Sequence, residues 1–177
     1  MSEPRLLDRR TVYAGRVLEV GIDRLRLPEG GTTELEIIRH SGASVVAPIT
    51  DEGEVVLVRQ YRYATGQWLL EAPAGKLAPG EAPESCARRE LEEETGWRAA
   101  ELVPLGAIWS SPGFTDELLH LFLARDLEPG TQALEEAELL TVEKAPLDEA
   151  VAMAHDGRIS DAKTVCAVLR AAAVLGR

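Results

Sequence analysis

Cysteine is scarce in this sequence, with only Cys86 and Cys166 among 177 residues. They stand 80 positions apart in no paired spacing, which excludes both a disulfide framework and a zinc-binding pattern. Positive charge is also short, at 19 Lys plus Arg against 30 Asp plus Glu, for a net charge of −11. Long-range repulsion therefore disfavours nucleic acid and anionic membrane as partners. No long apolar run is present: the greasiest stretch, Val165 to Leu175, is too short to cross a bilayer and contains Arg170. The opening MSEPRLLDRR has no apolar core of the kind that secretion signals carry. Internal repeats and low-complexity linkers are missing too. These absences point to the cytoplasm. What remains is a chain with 45% hydrophobic and 28% charged residues, a composition and length that suit one globular domain.

Residues 11–40 alternate apolar and polar positions around Pro28-Glu29-Gly30-Gly31, which predicts antiparallel hairpins. The β-branched runs Ser44–Thr50 and Glu54–Gln60, separated by Asp51-Glu52-Gly53, predict a second hairpin. The chain then breaks at Pro73-Ala74-Gly75 and again at Pro79-Gly80. Pro83 opens a helix expected to run to about Thr95, with Gly96 as its C-terminal cap and Ala82 a poor N-cap. Strands are expected at Leu102–Trp109, Leu118–Ala124 and Leu139–Val142. Two helices follow, Pro146–His155 stopped by Gly157, and one capped by Ser160 that reaches Leu175. This order predicts an α+β domain with layered mixed sheets.

The helix after Pro83 carries the chemistry. At about 100° per residue, Glu90, Glu93 and Glu94 share one stripe, Ala87 and Leu91 lie on the flank that faces a core, and Glu92 points away. Three carboxylates at such spacing repel one another, and a hard divalent cation reverses the sign. Mg²⁺ takes oxygen ligands and keeps several waters, so it suits carboxylates plus a phosphate substrate. A Glu-rich helix face alone is ordinarily just solvated. Gly75 and Gly80 change the balance, because they bring exposed backbone beside the stripe.

Gly75, Glu81 six positions on, and Arg89-Glu90-Leu91-Glu92-Glu93-Glu94-Thr95-Gly96-Trp97 resemble the Nudix box, G-x5-E-x7-R-E-U-x-E-E-x-G-U, with every fixed letter in place. A chance match somewhere in such a chain is on the order of 10⁻⁶ or less from residue abundances. Trp97 stands where the family more often has an aliphatic residue. The segments Val58–Arg62, Trp68–Gly75, Ser111–Glu117 and Gly157–Ala162 are similar to the ADP-ribose pyrophosphatase branch, and Pro112 lies 16 residues after Gly96, the spacing associated with it.

The resemblance implies an α/β/α sandwich, an α+β Nudix fold with a mixed central sheet and an N-terminal antiparallel strand segment. Residues 1–40 would be exchanged across a homodimer, and 41–177 would form the catalytic domain. It implies that Glu90 and Glu94 ligate Mg²⁺, or Mn²⁺ in its place, with Glu93 close by and the Ala74 carbonyl as a further ligand. Arg89 would orient the carboxylates, and Glu81 would brace the loop. Glu136 would align the attacking water and Glu138 would add a ligand, although an acidic loop at 135–138 also reads as merely solvated. Arg62, Glu36, Glu71, Pro112 and Gly113 fall where the branch meets substrate. A strand-end arginine such as Arg62 equally suits a surface ion pair, and Glu36 lacks the arginine that often precedes it.

The implied reaction is Mg²⁺-dependent hydrolysis of ADP-ribose to AMP and ribose 5-phosphate. The rivals are a pyrophosphatase for GDP-mannose or another nucleotide sugar, and a Nudix-fold regulator that binds a nucleotide without cleaving it. His40, His120 and His155 show no ligand spacing, Cys86 reads as a small helix filler, and Trp68, Trp97 and Trp109 as core or dimer-contact residues.

Overall fold

Apolar–polar alternation near the N-terminus produces an antiparallel meander of β1 (Arg5–Ala14), β2 (Glu19–Arg26) and β3 (Thr32–Arg39). The computed structural model describes residues 2–134 and 139–177. At the β2–β3 turn, Gly30 and Gly31 take φ angles of 96° and 84°, a region that glycine enters without strain. β1 begins at Arg5, earlier than the alternation over 11–40 predicts, and all ten of its residues are exposed. Asp23 of β2 is buried and holds both neighbours, accepting the Arg9 guanidinium at 2.9 and 3.1 Å and pairing with Arg39. Residues 1–42 with 109–118 make one compact unit; residues 43–108 with 119–177 make another.

The second unit is organised by β4 (Ala43–Pro48), whose six residues are all buried. An apolar run without alternation needs cover on both faces and partners on both edges. β4 accordingly pairs antiparallel with β7 (Ala74–Lys76) and parallel with β9 (Leu118–Pro129), and β8 (Trp97–Trp109) closes the mixed order β7-β4-β9-β8. A second sheet, all antiparallel, runs β10-β5-β6, with β5 (Glu54–Arg62), β6 (Gln67–Glu71) and β10 (Leu140–Pro146). The hairpin expected from residues 44–60 is therefore not formed as a ladder. Its turn exists, but only the isolated bridge Ile49–Val55 joins the two strands, which belong to different sheets. Burial on both faces outweighed the turn signal.

Val45, Ala47, Leu121 and Leu123 pack with β5 residues Val55 and Leu57 against α2 (Leu147–Asp156) and α3 (Ala162–Val174). The opposite face of the same sheet presents Val46, Phe122 and Ala124 to Ala87 and Leu91 of α1 (Pro83–Thr95). Helix, sheet and helix layers thus give the α/β/α sandwich. Gly96 caps α1 at φ 72° with its N–H on the Glu92 carbonyl, and Gly157 stops α2 at φ 84°, both as the sequence predicts. The cap of α3 is Asp161 and not Ser160: its carboxylate accepts the Thr164 N–H at 3.0 Å, and a carboxylate also complements the positive end of the helix. Trp68 and Trp109 are more than half exposed, so neither belongs to the core of this chain. Trp97 is partly buried, with the Lys144 ammonium 5.0 Å from its ring centre.

Candidate active site

Leu91 and Ala87 anchor α1 to the sheet, and that rotation settles where its carboxylates point. Glu90 and Glu94 are drawn into buried positions beside β7, while Glu93 stays partly exposed. Glu94 accepts the backbone N–H of Ala74 at 3.0 Å. Pro73 gives its carbonyl to the Val46 N–H at 2.9 Å, so the loop is pinned to the central strand one residue before it meets the helix. The closest approach is at Gly75, where a Cβ would lie 1.8 Å from the Glu90 carboxylate carbon. No other residue fits there without displacing that carboxylate.

Arg89 organises the acidic face. It forks onto Glu81 at 2.9 and 3.0 Å, reaches Glu93 at 2.9 Å and Glu90 at 2.5 Å, and gives a further bond to the Lys76 carbonyl at 3.3 Å. One guanidinium thus serves three carboxylates, and these hold its own pKa above the ordinary arginine value. Glu81 accepts the Ala78 N–H as well, at 2.9 Å. The Arg89 fork, aided by that backbone bond, lowers the Glu81 carboxyl from 4.5 to about 2. Cys86 lies buried beneath, its thiol on the Gly75 carbonyl at 3.4 Å, and burial raises its pKa. That is the state of a packing thiol and not of a nucleophile.

The depressed Glu81 pKa has a measurable consequence. A carboxyl that titrates lower in the folded than in the unfolded chain stabilises fully above the unfolded value of 4.5, and this contribution fades as pH falls toward about 2. The difference in Tm between the wild type and Glu81→Gln is therefore expected to be largest near neutrality and to shrink steadily below pH 4.5. Thermal denaturation of both proteins from pH 7 to pH 3 checks this; a constant difference refutes the Glu81–Arg89 assignment.

A second cluster lies on β5, β6 and the start of α3. Arg62 donates from Nε and Nη2 to the two oxygens of Glu71 at 2.7 and 2.6 Å. Lys163 bonds the same carboxylate and also Asp161, the latter at 3.0 Å. Glu71 is 1% exposed; burial alone would raise its pKa, yet Arg62 and Lys163 prevail and lower it. The Thr164 hydroxyl, itself bonded to Asp161, accepts the Ala72 N–H at 2.7 Å. Side chains 92 positions further on therefore steady the segment that leads into the loop at Pro73–Gly75.

The structure gathers Ala74, Gly75, Glu81, Arg89, Glu90, Glu93 and Glu94 in one place, with Arg62 and Glu71 in the same unit. Glu36 is an exposed β3 residue, and Pro112 and Gly113 sit on an exposed turn; all three belong to the first unit. Glu136 and Glu138 lie outside the described residues. Sequence reasoning missed Lys163 and Thr164, whose bonds to Glu71 and Ala72 span 92 positions of the chain. The donors at the box are carboxylate and carbonyl oxygens, a set that fits a hard divalent cation and not a soft one. Among the described residues no three acidic, His or Cys side chains are already drawn together as a ligand set, and Glu90 and Glu93 are turned onto Arg89.

This glycine loop, arginine hub and paired buried glutamates occur within residues 38–168, which match the NUDIX domain family model. The chain belongs to the Nudix family. Its relatives include an ADP-ribose pyrophosphatase of Bacillus subtilis (strain 168), 38% identical over 94% of this chain and 91% of that protein. A methanol dehydrogenase activator of Bacillus methanolicus is 41% identical over 95% of this Nudix chain and 92% of its own. Among solved structures, a crystal structure of an ADP compounds hydrolase superposes with a TM-score of 0.88 at 26% identity, covering 99% of this chain and 96% of the other. The Nudix fold is thus shared along nearly the whole length. Among the described residues, no helix is long and apolar enough to cross a membrane.

Proposed function

We propose that this Nudix hydrolase cleaves ADP-ribose to AMP and ribose 5-phosphate, with Mg²⁺ as its metal, acting in the cytoplasm as a homodimer. The observation that carries the chemistry is the burial of Glu90 and Glu94 against a loop that only Gly75 allows. The substrate rests on relatives named for ADP-ribose and ADP compounds. Exposure of Leu6, Leu7, Val12 and Tyr13 along β1 supports the dimer, since such side chains seek apolar cover.

Glu90 and Glu94 would hold the metal with the Ala74 carbonyl and Glu138, and Glu93 lies beside them. Mg²⁺, or Mn²⁺, supplies charge neutralisation at the pyrophosphate and a more acidic water when bound. Arg89 keeps the carboxylates aligned, and Glu136 takes the proton of the attacking water. Arg62 forks onto Glu71 through Nε and Nη2 and has two-fifths of its side chain exposed, so its Nη1 edge is the one assigned here to a phosphate oxygen. Glu71 acts on substrate through Arg62. Glu36 would reach the base as a residue of the partner subunit, and Pro112 and Gly113 would contact substrate.

Chromatography of the products formed with Mg²⁺ from ADP-ribose, GDP-mannose, NADH and diadenosine polyphosphates tests this reading. AMP is expected to appear fastest from ADP-ribose. Faster cleavage of another compound discards the substrate and keeps the chemistry. Nucleotide binding without cleavage of any of them discards catalysis.

A further inference from the structure

Arg62 and Lys163 both bond the buried carboxylate of Glu71, and Lys163 links it to Asp161. Two cations therefore face two carboxylates, in the order Arg62, Glu71, Lys163, Asp161. Arg62 already feels the charges of Glu94 and Asp161 besides that of Glu71. If the Lys163 charge is removed, Glu71 and Asp161 are left as like charges with Arg62 as the shared cation. The guanidinium is then pulled inward between them and away from any ligand.

We propose that Lys163 is a positioning residue for the substrate pyrophosphate: by satisfying Glu71 and Asp161 it keeps the Nη1 edge of Arg62 turned outward to a phosphate oxygen. This rests on the reading of Arg62 as the arginine that holds that phosphate. The Asp161 cap gives the arrangement rigidity, because its carboxylate is also fixed by the N–H and hydroxyl of Thr164. The lysine is in turn poorly exposed, at 15% of its side chain, and its charge is engaged by Glu71 and Asp161, which suits a role exerted through Arg62.

The test is a double-mutant cycle on the full chain, with Lys163→Met, Arg62→Met and both together. KM and kcat are measured for ADP-ribose, and the Kd for its non-hydrolysed α,β-methylene analogue by calorimetry. Lys163→Met is expected to raise KM and Kd about tenfold with kcat within about threefold, and to add nothing in the Arg62→Met background, as for residues acting as one unit. Lys163→Arg, which keeps the charge, is expected to restore both constants. Lys163→Gln takes the place of Lys163→Met if the latter loses its melting transition.

Unchanged KM and Kd in the lysine variant overturn the proposal, as do fully additive effects or a loss of kcat that merely tracks a loss of Tm. An Arg62→Met variant with unchanged KM and Kd overturns it too, while a still active wild type keeps the pyrophosphatase reading. A wild type that neither cleaves nor binds the two compounds refutes that reading itself and takes this role with it.

Discussion

Replacing Glu94 by Gln, or Glu90 by Gln, lowers the rate of ADP-ribose hydrolysis at fixed Mg²⁺ by at least about 10²-fold, equivalent to roughly 2.7 kcal/mol of transition-state stabilisation. Both substitutions keep the side-chain shape, and the Gln oxygen at position 94 still accepts the Ala74 N–H that Glu94 now takes at 3.0 Å. The fold is therefore expected to persist, with a Tm within a few degrees of wild type. What disappears is one negative charge at a site where the protein otherwise buries two glutamates side by side on α1. Glu92→Gln is the matched control: its carboxylate faces the other way, accepting the Thr131 N–H at 3.3 Å, and its rate is expected to stay within about threefold. Equal losses at positions 92 and 94 would show that the helix charge as a whole matters and that the ligand assignment is wrong.

Gly75→Ala is expected to inactivate with little loss of stability. The new methyl group would begin 1.8 Å from the Glu90 carboxylate carbon and 1.9 and 2.2 Å from its oxygens, far inside contact distance. The atoms in its way are the end of a long side chain, which can rotate, and not backbone. The chain therefore relieves the clash by swinging the Glu90 carboxylate away from the loop, at a cost of about 1–2 kcal/mol in stability. A displacement of about 1 Å at a catalytic group is enough to cost roughly 10²-fold in rate. Steady-state kinetics against Mg²⁺ concentration, together with a melting curve, separate the two effects. A variant that keeps its rate would mean that Glu90 need not touch the loop to act, whereas a variant that unfolds would place the constraint in the backbone.

The acidic helix was legible because three local signals agreed on it: Pro83 at its start, Gly96 at its end, and apolar residues at 87 and 91. Its orientation followed from periodicity alone, and with it the face that presents Glu90 and Glu94. The pairing of β4 was not legible in the same way. A buried strand reads as an apolar run whichever neighbours it takes, and its partner β9 lies more than 70 residues further along. The Asp51–Gly53 turn offered a nearer but wrong partner. Likewise, Glu71 was visible as a residue of a motif, but its burial by Arg62 and Lys163 depends on contacts 9 and 92 positions away. Asp161 displaced Ser160 as cap by one position, because the choice between adjacent oxygen-bearing residues is made by the geometry of the first turn. Pairwise chemistry between distant residues is what a single sequence hides.

The parallel pairing of β4 with β9 joins two strands that are synthesised far apart in time. Every residue from Ala43 to Pro48 takes its partner from Leu119 to Ala124, so a chain emerging from the ribosome leaves one edge of this fully buried strand open for some 70 residues of synthesis. During that interval α1, with its carboxylates, has already been extruded and has only half of its supporting sheet. Folding dominated by such distant contacts is slow, and the uncovered edge is a place for association with other nascent chains. The same strand that fixes the loop at Pro73 in the finished enzyme thus waits for its second edge to be covered while the chain is being made.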